Sequence, residues 1–279
     1  MSDSISDNLQ NDAQQRLLEH APWLVPLKPH DSFSFEQLAN EYNLLNISSF
    51  SRVLTNLIVE ELIARGVGSR VLDIGCGCGI GREVGYQWVI RHHTQDLWGI
   101  EPDDGIRPAE SLFDHFQQAL LETADLPVES FDVAYSSMVM EHVADPENFF
   151  ASLHRCLKPG GVYLFATPNA WSFVPWLTKV SHQLGIDELI IRVLRGKQQV
   201  EEYHYPVQFR CNTAKQLNAL ARASGFAPPQ YAFVEGTGSY SYLRGPLRLL
   251  KGPLKAKRRW IRRPDRLATL ICKMRRAEA

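Results

Sequence analysis

Val71-Leu-Asp-Ile-Gly75-Cys-Gly77-Cys-Gly79-Ile-Gly81 decides how this chain is read. Residues 70–74 have the length and apolar content of a short buried strand, which runs straight into glycines at alternate positions. Such glycines let a backbone turn sharply and approach a ligand with no Cβ in the way. A helical pattern follows over about 81–91, and a helix there aims its free N–H groups and positive end at the same point. In open α/β sheets, ligands bind at such carboxyl ends of strands.

Outward from this turn, helical and extended patterns alternate. Upstream, residues 49–65 carry Phe50, Val53, Leu54, Leu57, Ile58, Leu62 and Ile63 at a helical period, stopped by Gly66 and Gly68. Downstream, strands are predicted at 97–101, 118–122, 131–136, 162–166, 229–234 and 267–274. Helices are predicted over 146–157, with Pro146 near its start, and over 213–224, between a Thr213 cap and Gly225. Lys158-Pro-Gly-Gly161 reads as a turn ahead of its strand. Strands alternating with helices predict an α/β fold. We expect a doubly wound sheet of seven strands with helices on both faces. The expected organisation is a disordered leader over 1–20 and one domain over 21–279, with insertions at about 171–205 and 236–266.

Two ligand classes compete for the glycine turn. A dinucleotide fingerprint requires G-x-G-x-x-G. Counted from Gly75 its third glycine falls on Ile80, and counted from Gly77 it falls on Arg82. Asp73 also stands two residues ahead of the first glycine, where a carboxylate sits badly with a pyrophosphate but suits a ligand bearing an ammonium and a sulfonium. The stretch from Val71 to Gly79 resembles the first motif of class I S-adenosylmethionine-dependent methyltransferases. The similarity continues through Trp98-Gly-Ile-Glu101-Pro-Asp, Ala124-Asp-Leu-Pro127 with Ser130-Phe-Asp132, Met140-Glu-His-Val-Ala-Asp-Pro146, and Leu157-Lys-Pro-Gly-Gly161 with Thr167-Pro-Asn169. The Glu141-His142 pair is similar to the subgroup near the ubiquinone-biosynthesis O-methyltransferases. Tyr205-Pro-Val-Gln-Phe-Arg-Cys-Asn-Thr213 resembles a related bacterial subgroup.

The resemblance implies a Rossmann-like sheet, mostly parallel with an antiparallel last strand, and S-adenosylmethionine as cofactor. Asp73, Gly75, Cys76, Gly77 and Gly79 would hold its methionine end, with Ser137 beside it. Glu101 would accept hydrogen bonds from both ribose hydroxyls, a task for a fixed, acceptor-only group. The segment from Glu122 to Asp125 would meet the adenine. Two departures stand out. Glu101 lies 26 residues after Gly75, against roughly 20 in related α/β sites, which predicts a longer first helix or loop. Metal-using relatives place a second Glu three positions ahead of the pair, where this chain has Met138, so no metal is expected.

Methyl transfer needs alignment first, and a general base where the acceptor is a hydroxyl. His142 is the candidate base, from a residue type that titrates near neutrality, and Glu141 would orient it or contact substrate. The alternative is that both cap the helix begun at Pro146. Tyr203, His204 and Trp171 are candidate acceptor contacts, and Phe173, Trp176 and Leu177 suggest an apolar wall or plain core. The acceptor expected is therefore a small molecule or lipid-like compound, methylated on oxygen.

Composition agrees with an ordinary globular chain of 279 residues, 44% hydrophobic and 22% charged. No apolar run reaches the ~18–20 residues needed to span a bilayer, and the polar start lacks a secretory signal, so a cytoplasmic location is expected. Five cysteines at irregular spacing fit neither a disulfide framework nor a zinc site. The net charge of −1 hides an asymmetry: from Arg244 onward, 13 Lys and Arg face only Asp265 and Glu278. Residues 240–266 interleave these with leucines and Trp260. They could lie on an anionic membrane surface, bind nucleic-acid phosphates, or face the acidic remainder of the chain. No RNA-binding module accompanies them, so a nucleic-acid partner is not expected. Rival readings are an RNA methyltransferase and a cofactor-binding scaffold without turnover.

Overall fold

A computed structural model describes residues 34–46, 49–66, 68–109, 111–172, 207–235 and 264–278. The expected leader, Tyr203, His204 and almost all of the two expected insertions lie outside the described residues. Helices α1 (Phe35–Asn46) and α2 (Phe50–Arg65) precede β1 (Arg70–Ile74), α3 (Gly85–His92), β2 (Asp96–Ile100), β3 (His115–Gln117) and β4 (Phe131–Ser137). Then come α4 (Pro146–Cys156), β5 (Leu157–Pro168), α5 (Ala214–Ala223), β6 (Gln230–Val234), a 3-10 turn (Pro264–Arg266) and β7 (Thr269–Arg275).

The sheet order is β3-β2-β1-β4-β5-β7-β6. Strands β1 to β5 pair in parallel, and β7 runs antiparallel to both β5 and β6. This is the doubly wound sheet that the sequence predicts, with the antiparallel last strand that the resemblance implies. The chain winds outward from β1 in one direction and then returns to add β4 on its other side. The crevice of such a sheet lies at that reversal, beyond the carboxyl ends of β1 and β4.

Because side chains alternate along a strand, each strand feeds two cores. Val71, Val133, Tyr135, Val162 and Leu164 pack with Val53, Leu54 and Ile58 of α2 and Val89 and Ile90 of α3. Leu72, Ile74, Ala134, Tyr163 and Phe165 pack with Phe149, Phe150 and Leu153 of α4 and Leu217 of α5. The helix starts are capped by side chains, at Thr213 as expected and also at Ser49 and Asp145. Ser49 and Thr213 accept from Ser51 N and Gln216 N, and Asp145 accepts from Asn148 N ahead of Pro146.

Three predicted boundaries are corrected. The third strand is His115–Gln117, not 118–122. It is fixed at the edge by Asp114, which receives Leu97 N on its carboxylate and donates its own N–H to Leu97 O, and by Trp98 stacked on His115. Residues 118–122 turn instead, with Thr123 N and Ala124 N both donating to Leu120 O. Lys158-Pro-Gly-Gly161 lies within β5, as an irregularity between the Phe131↔Leu157 and Val133↔Val162 pairs. Gly160 N donates to Arg276 O there and Arg276 N returns to Gly161 O, so the far end of the chain holds the bulge. Helix α3 begins at Gly85 rather than 81. Arg82 N donates to Gly79 O and Glu83 N to Ile80 O, which extends the glycine turn by one more loop.

Candidate functional site

At the end of β1, Gly75 N and Cys76 N both donate to Ile100 O of β2, at 2.8 and 3.1 Å. The turn is thereby folded back over the neighbouring strand. Glu101, the next residue after β2, is buried beside it. Its Oε2 accepts from Gly77 N at 2.8 Å and its Oε1 from Asp103 N at 3.1 Å. Asp73 is buried on the α3 side of β1. Its Oδ2 accepts from Gln87 Nε2 of α3 at 2.7 Å and from Tyr135 OH of β4 at 2.8 Å.

Burial pushes the Asp73 carboxyl up to about 7. Its bonds from Gln87 and Tyr135 act in the opposite direction, and the Glu101 carboxylate pushes the same way as burial. Burial also raises the Cys76 thiol, with Asp73 and Glu101 adding to it. Cys76 is therefore a neutral filler of the turn, not a nucleophile.

The opposite wall is the carboxyl end of β4. Ser137 Oγ is buried there with no hydrogen-bond partner among the described residues. By strand alternation it shares its face with Tyr135, hence with Asp73. Met138 follows in a left-handed conformation (φ 59°) and its N–H donates to Ala166 O. His142 is half-buried, with its N–H on Val139 O. Neither Glu141 nor His142 supplies the side-chain cap of α4, because Asp145 does.

Glu141 points inward. Its Oε2 accepts from Thr167 Oγ1 at 3.0 Å, and Thr167 Oγ1 accepts from Asn212 Nδ2 at 2.5 Å. Its backbone carbonyl receives Gln208 N and Phe209 N. Cys211 Sγ reaches Met140 O and Arg210 Nη1 reaches Ala144 O. The segment after the first expected insertion is thus sewn to the loop after β4. Burial raises the Glu141 carboxyl from 4.5 to about 7, only partly countered by its bonds.

That shift has a stability consequence. The folded state holds the Glu141 proton up to about pH 7, whereas an unfolded chain releases it near 4.5. The contribution is complete below pH 4.5 and is lost as pH rises towards 7, on the order of 2–3 kcal/mol. Glu141→Gln removes the titration. The melting temperature of the variant minus that of the parent should therefore climb between pH 5 and pH 8. A difference that stays flat with pH would show that Glu141 titrates normally.

The third wall lies beyond β3. Gln117 Oε1 accepts from Asp125 N at 2.9 Å while its Nε2 donates to Asp125 O at 2.8 Å. This two-bond clamp sets the turn carrying Glu122, half-buried, and Asp125, exposed. Trp171 stands past the end of β5, 38% exposed, with the Arg266 guanidinium 5.8 Å from its ring centre. Asn169 holds that corner together, donating to Asp265 O and Leu267 O and accepting Trp171 N.

The structure therefore brings Asp73, Gly75, Cys76, Gly77, Gly79 and Glu101 into one cradle, with Ser137 on its facing wall. Glu122 and Asp125 line a separate edge and Trp171 stands at the far corner. Sequence reasoning misses Gln87, Tyr135, Gln117, Thr167 and Asn212. For Gln87 a signal existed: it is a polar residue inside the buried stripe Tyr86, Val89 and Ile90 of α3. Among the described residues, no group of three or more His, Cys, Asp or Glu side chains could hold a metal ion. What remains is a backbone cradle flanked by two buried carboxylates. It repels a pyrophosphate and favours a ligand offering a cation and hydroxyl donors.

A family model described as "Methyltransferase domain" matches residues 51–230. Over 123 residues the chain is 31% identical to a probable S-adenosylmethionine-dependent methyltransferase of Mycolicibacterium smegmatis, covering 43% of this chain and 46% of that protein. Over 149 residues it is 29% identical to a ubiquinone biosynthesis O-methyltransferase of Erwinia tasmaniensis, covering 50% and 57%. The chain thus spans about half the length of these curated relatives. The crystal structure of geranyl diphosphate C-methyltransferase from Streptomyces coelicolor, in complex with Mg2+, geranyl diphosphate and S-adenosyl-L-homocysteine, matches with a TM-score of 0.52. That match covers 96% of this chain and 98% of that one at 13% identity, a likeness of fold alone. The chain belongs to the methyltransferase-domain family, and its sheet is the Rossmann-like one of class I S-adenosylmethionine-dependent methyltransferases.

Proposed function

We propose that this protein is an S-adenosylmethionine-dependent methyltransferase whose acceptor is a small or lipid-like molecule methylated at oxygen. The observation that carries the reading is the glycine cradle between the buried carboxylates Asp73 and Glu101. The residues present fit that donor. Asp73 supplies a carboxylate for the methionine ammonium, and the orphaned Ser137 Oγ offers a hydroxyl beside it. Each Glu101 oxygen already accepts one backbone N–H and retains a lone pair for a ribose hydroxyl. The turn that Gln117 clamps presents Glu122 and Asp125 to the adenine.

When bound, S-adenosylmethionine supplies an electrophilic methyl whose C–S bond breaks as the acceptor O–C bond forms, leaving the thioether. The walls hold donor and acceptor in line, a service that can be worth about 7–11 kcal/mol. His142, on the loop after β4, takes the hydroxyl proton. Trp171 offers an apolar surface to the acceptor's hydrophobic part. The names of the Erwinia and Mycolicibacterium relatives support oxygen chemistry and the donor. No helix among the described residues is long and apolar enough to cross a membrane. We place the protein in the cytoplasm; the basic sequence at 240–266 has the charge to meet an anionic lipid surface.

The test is transfer of a labelled methyl group by the purified chain to amphipathic phenols, with RNA as the competing acceptor. Phenols should be labelled and RNA should not. His142→Ala should slow transfer about 100-fold with donor binding unchanged. Labelling of RNA alone would remove the oxygen-acceptor reading, and equal turnover without His142 would remove His142 as the base.

A further inference from the structure

Gln87 is 2% exposed, on the inward face of α3. Burying an amide is costly unless its polar atoms are matched. Both protons of its Nε2 are used, and both reach the donor cradle. One goes to Asp73 Oδ2 at 2.7 Å and the other to Cys76 O, inside the glycine turn, at 2.9 Å. Tyr135 OH meets the same Asp73 oxygen from β4. Two donors from opposite sides thus fix the plane of the carboxylate through Oδ2, while Oδ1 receives no hydrogen bond from the described residues.

We propose that Gln87 is a positioning residue of the donor site, holding Asp73 Oδ2 so that Oδ1 faces the cationic end of the methyl donor, and tying the glycine turn to α3 through Cys76 O. The identity of that cation rests on the function proposed above; the geometry does not. The role also has an electrostatic side. Burial and the Glu101 carboxylate push Asp73 up, and Gln87 and Tyr135 are the groups that restrain it. The titratable groups facing it are Tyr135 on β4, Glu101 at the end of β2 and Cys76 in the turn. Burial pushes the Tyr135 hydroxyl and the Cys76 thiol up, so both stay neutral between pH 6 and pH 9. Near neutrality Asp73 therefore hovers between its two forms, and only the ionised form attracts an ammonium group.

The experiment compares the parent chain with Gln87→Met, which keeps the side-chain volume and removes the amide, and with Tyr135→Phe, which removes the other donor. The titration of the Asp73 carboxyl carbon is followed by NMR without ligand, and S-adenosylmethionine binding is measured calorimetrically from pH 6 to pH 9. Each variant should raise the Asp73 midpoint by about one pH unit. Relative to the parent at the same pH, donor affinity in Gln87→Met should fall roughly 5-fold at pH 7 and largely recover at pH 9. An unmoved midpoint, or a loss of affinity equal at every pH, would reduce Gln87 to packing and overturn the proposal. Because the NMR titration needs no donor, a parent that binds none would sink the methyltransferase reading while leaving the hold of Gln87 on Asp73 to be judged separately.

Discussion

Glu101→Ala should weaken S-adenosylmethionine binding at least about 100-fold while leaving the protein folded. In the ligand-free chain the carboxylate joins two loops, taking Gly77 N from the glycine turn and Asp103 N from the stretch after β2. Hydrogen bonds to a charged group are worth about 1.5–3 kcal/mol each. Losing two ribose contacts of that kind removes at least the stated factor. The cost to stability is smaller, because a compensating effect exists at Asp73. Glu101 raises the Asp73 carboxyl, so deleting it relieves a repulsion between two buried acids. The net change should stay within about 2 kcal/mol. Glu101→Gln separates charge from shape, since its Oε1 can keep one backbone donor while its Nε2 meets the other as a second donor. Calorimetry with the donor and a guanidinium melt of each variant decide the matter. Donor affinity unchanged in Glu101→Ala would mean that the ribose is not held there.

The contrast between Glu101 and Gln87 shows what a linear reading can reach. Glu101 is legible because it directly follows a strand that is itself legible, and because sheets of this kind bring the ends of neighbouring strands together. Gln87 acts across 14 residues from Asp73, and that contact depends on where α3 begins. Four residues of extra turn, 81–84, rotate the helix, and no periodicity reveals them. Glu141 illustrates a different limit. Sequence places it beside His142 after a strand, but which of two consecutive residues faces inward is decided by Thr167 and Asn212, from elements far along the chain. The third strand fails for a related reason. Only three residues long and held at the sheet edge by Asp114 and Trp98, it carries too few alternations to be recognised. The Lys158-Pro-Gly-Gly161 bulge has the composition of a turn, and only its bonds to Arg276 keep it inside β5.

Gly79→Ala should cost the fold about 3 kcal/mol and abolish donor binding, whereas Gly77→Ala should cost about 1 kcal/mol and still weaken donor binding at least 10-fold. The two glycines stand two residues apart in the same turn, both with positive φ, but they do different things. A Cβ on Gly79 would lie 2.5 Å from Glu83 C and Val84 N, at φ +101°. Those are backbone atoms at the entry to α3, which cannot rotate away, so strain of ~1–3 kcal/mol adds to a steric overlap. Relief would displace α3 and with it Gln87, which carries the effect to Asp73 and Cys76 O. A Cβ on Gly77, at φ +46°, would find only Glu101 Oε2 at 3.6 Å and Gly75 O at 3.7 Å, both at ordinary contact distance. The fold then bears only the lower end of the usual left-handed penalty of about 1–2 kcal/mol. The added methyl instead occupies the open side of the cradle, where a ligand would come closest to the backbone. Chemical denaturation and calorimetry on the two variants separate scaffold from contact surface. If Gly77→Ala binds the donor as the parent does, the donor does not run along this turn, and Asp73 and Glu101 face each other across it for structural reasons alone.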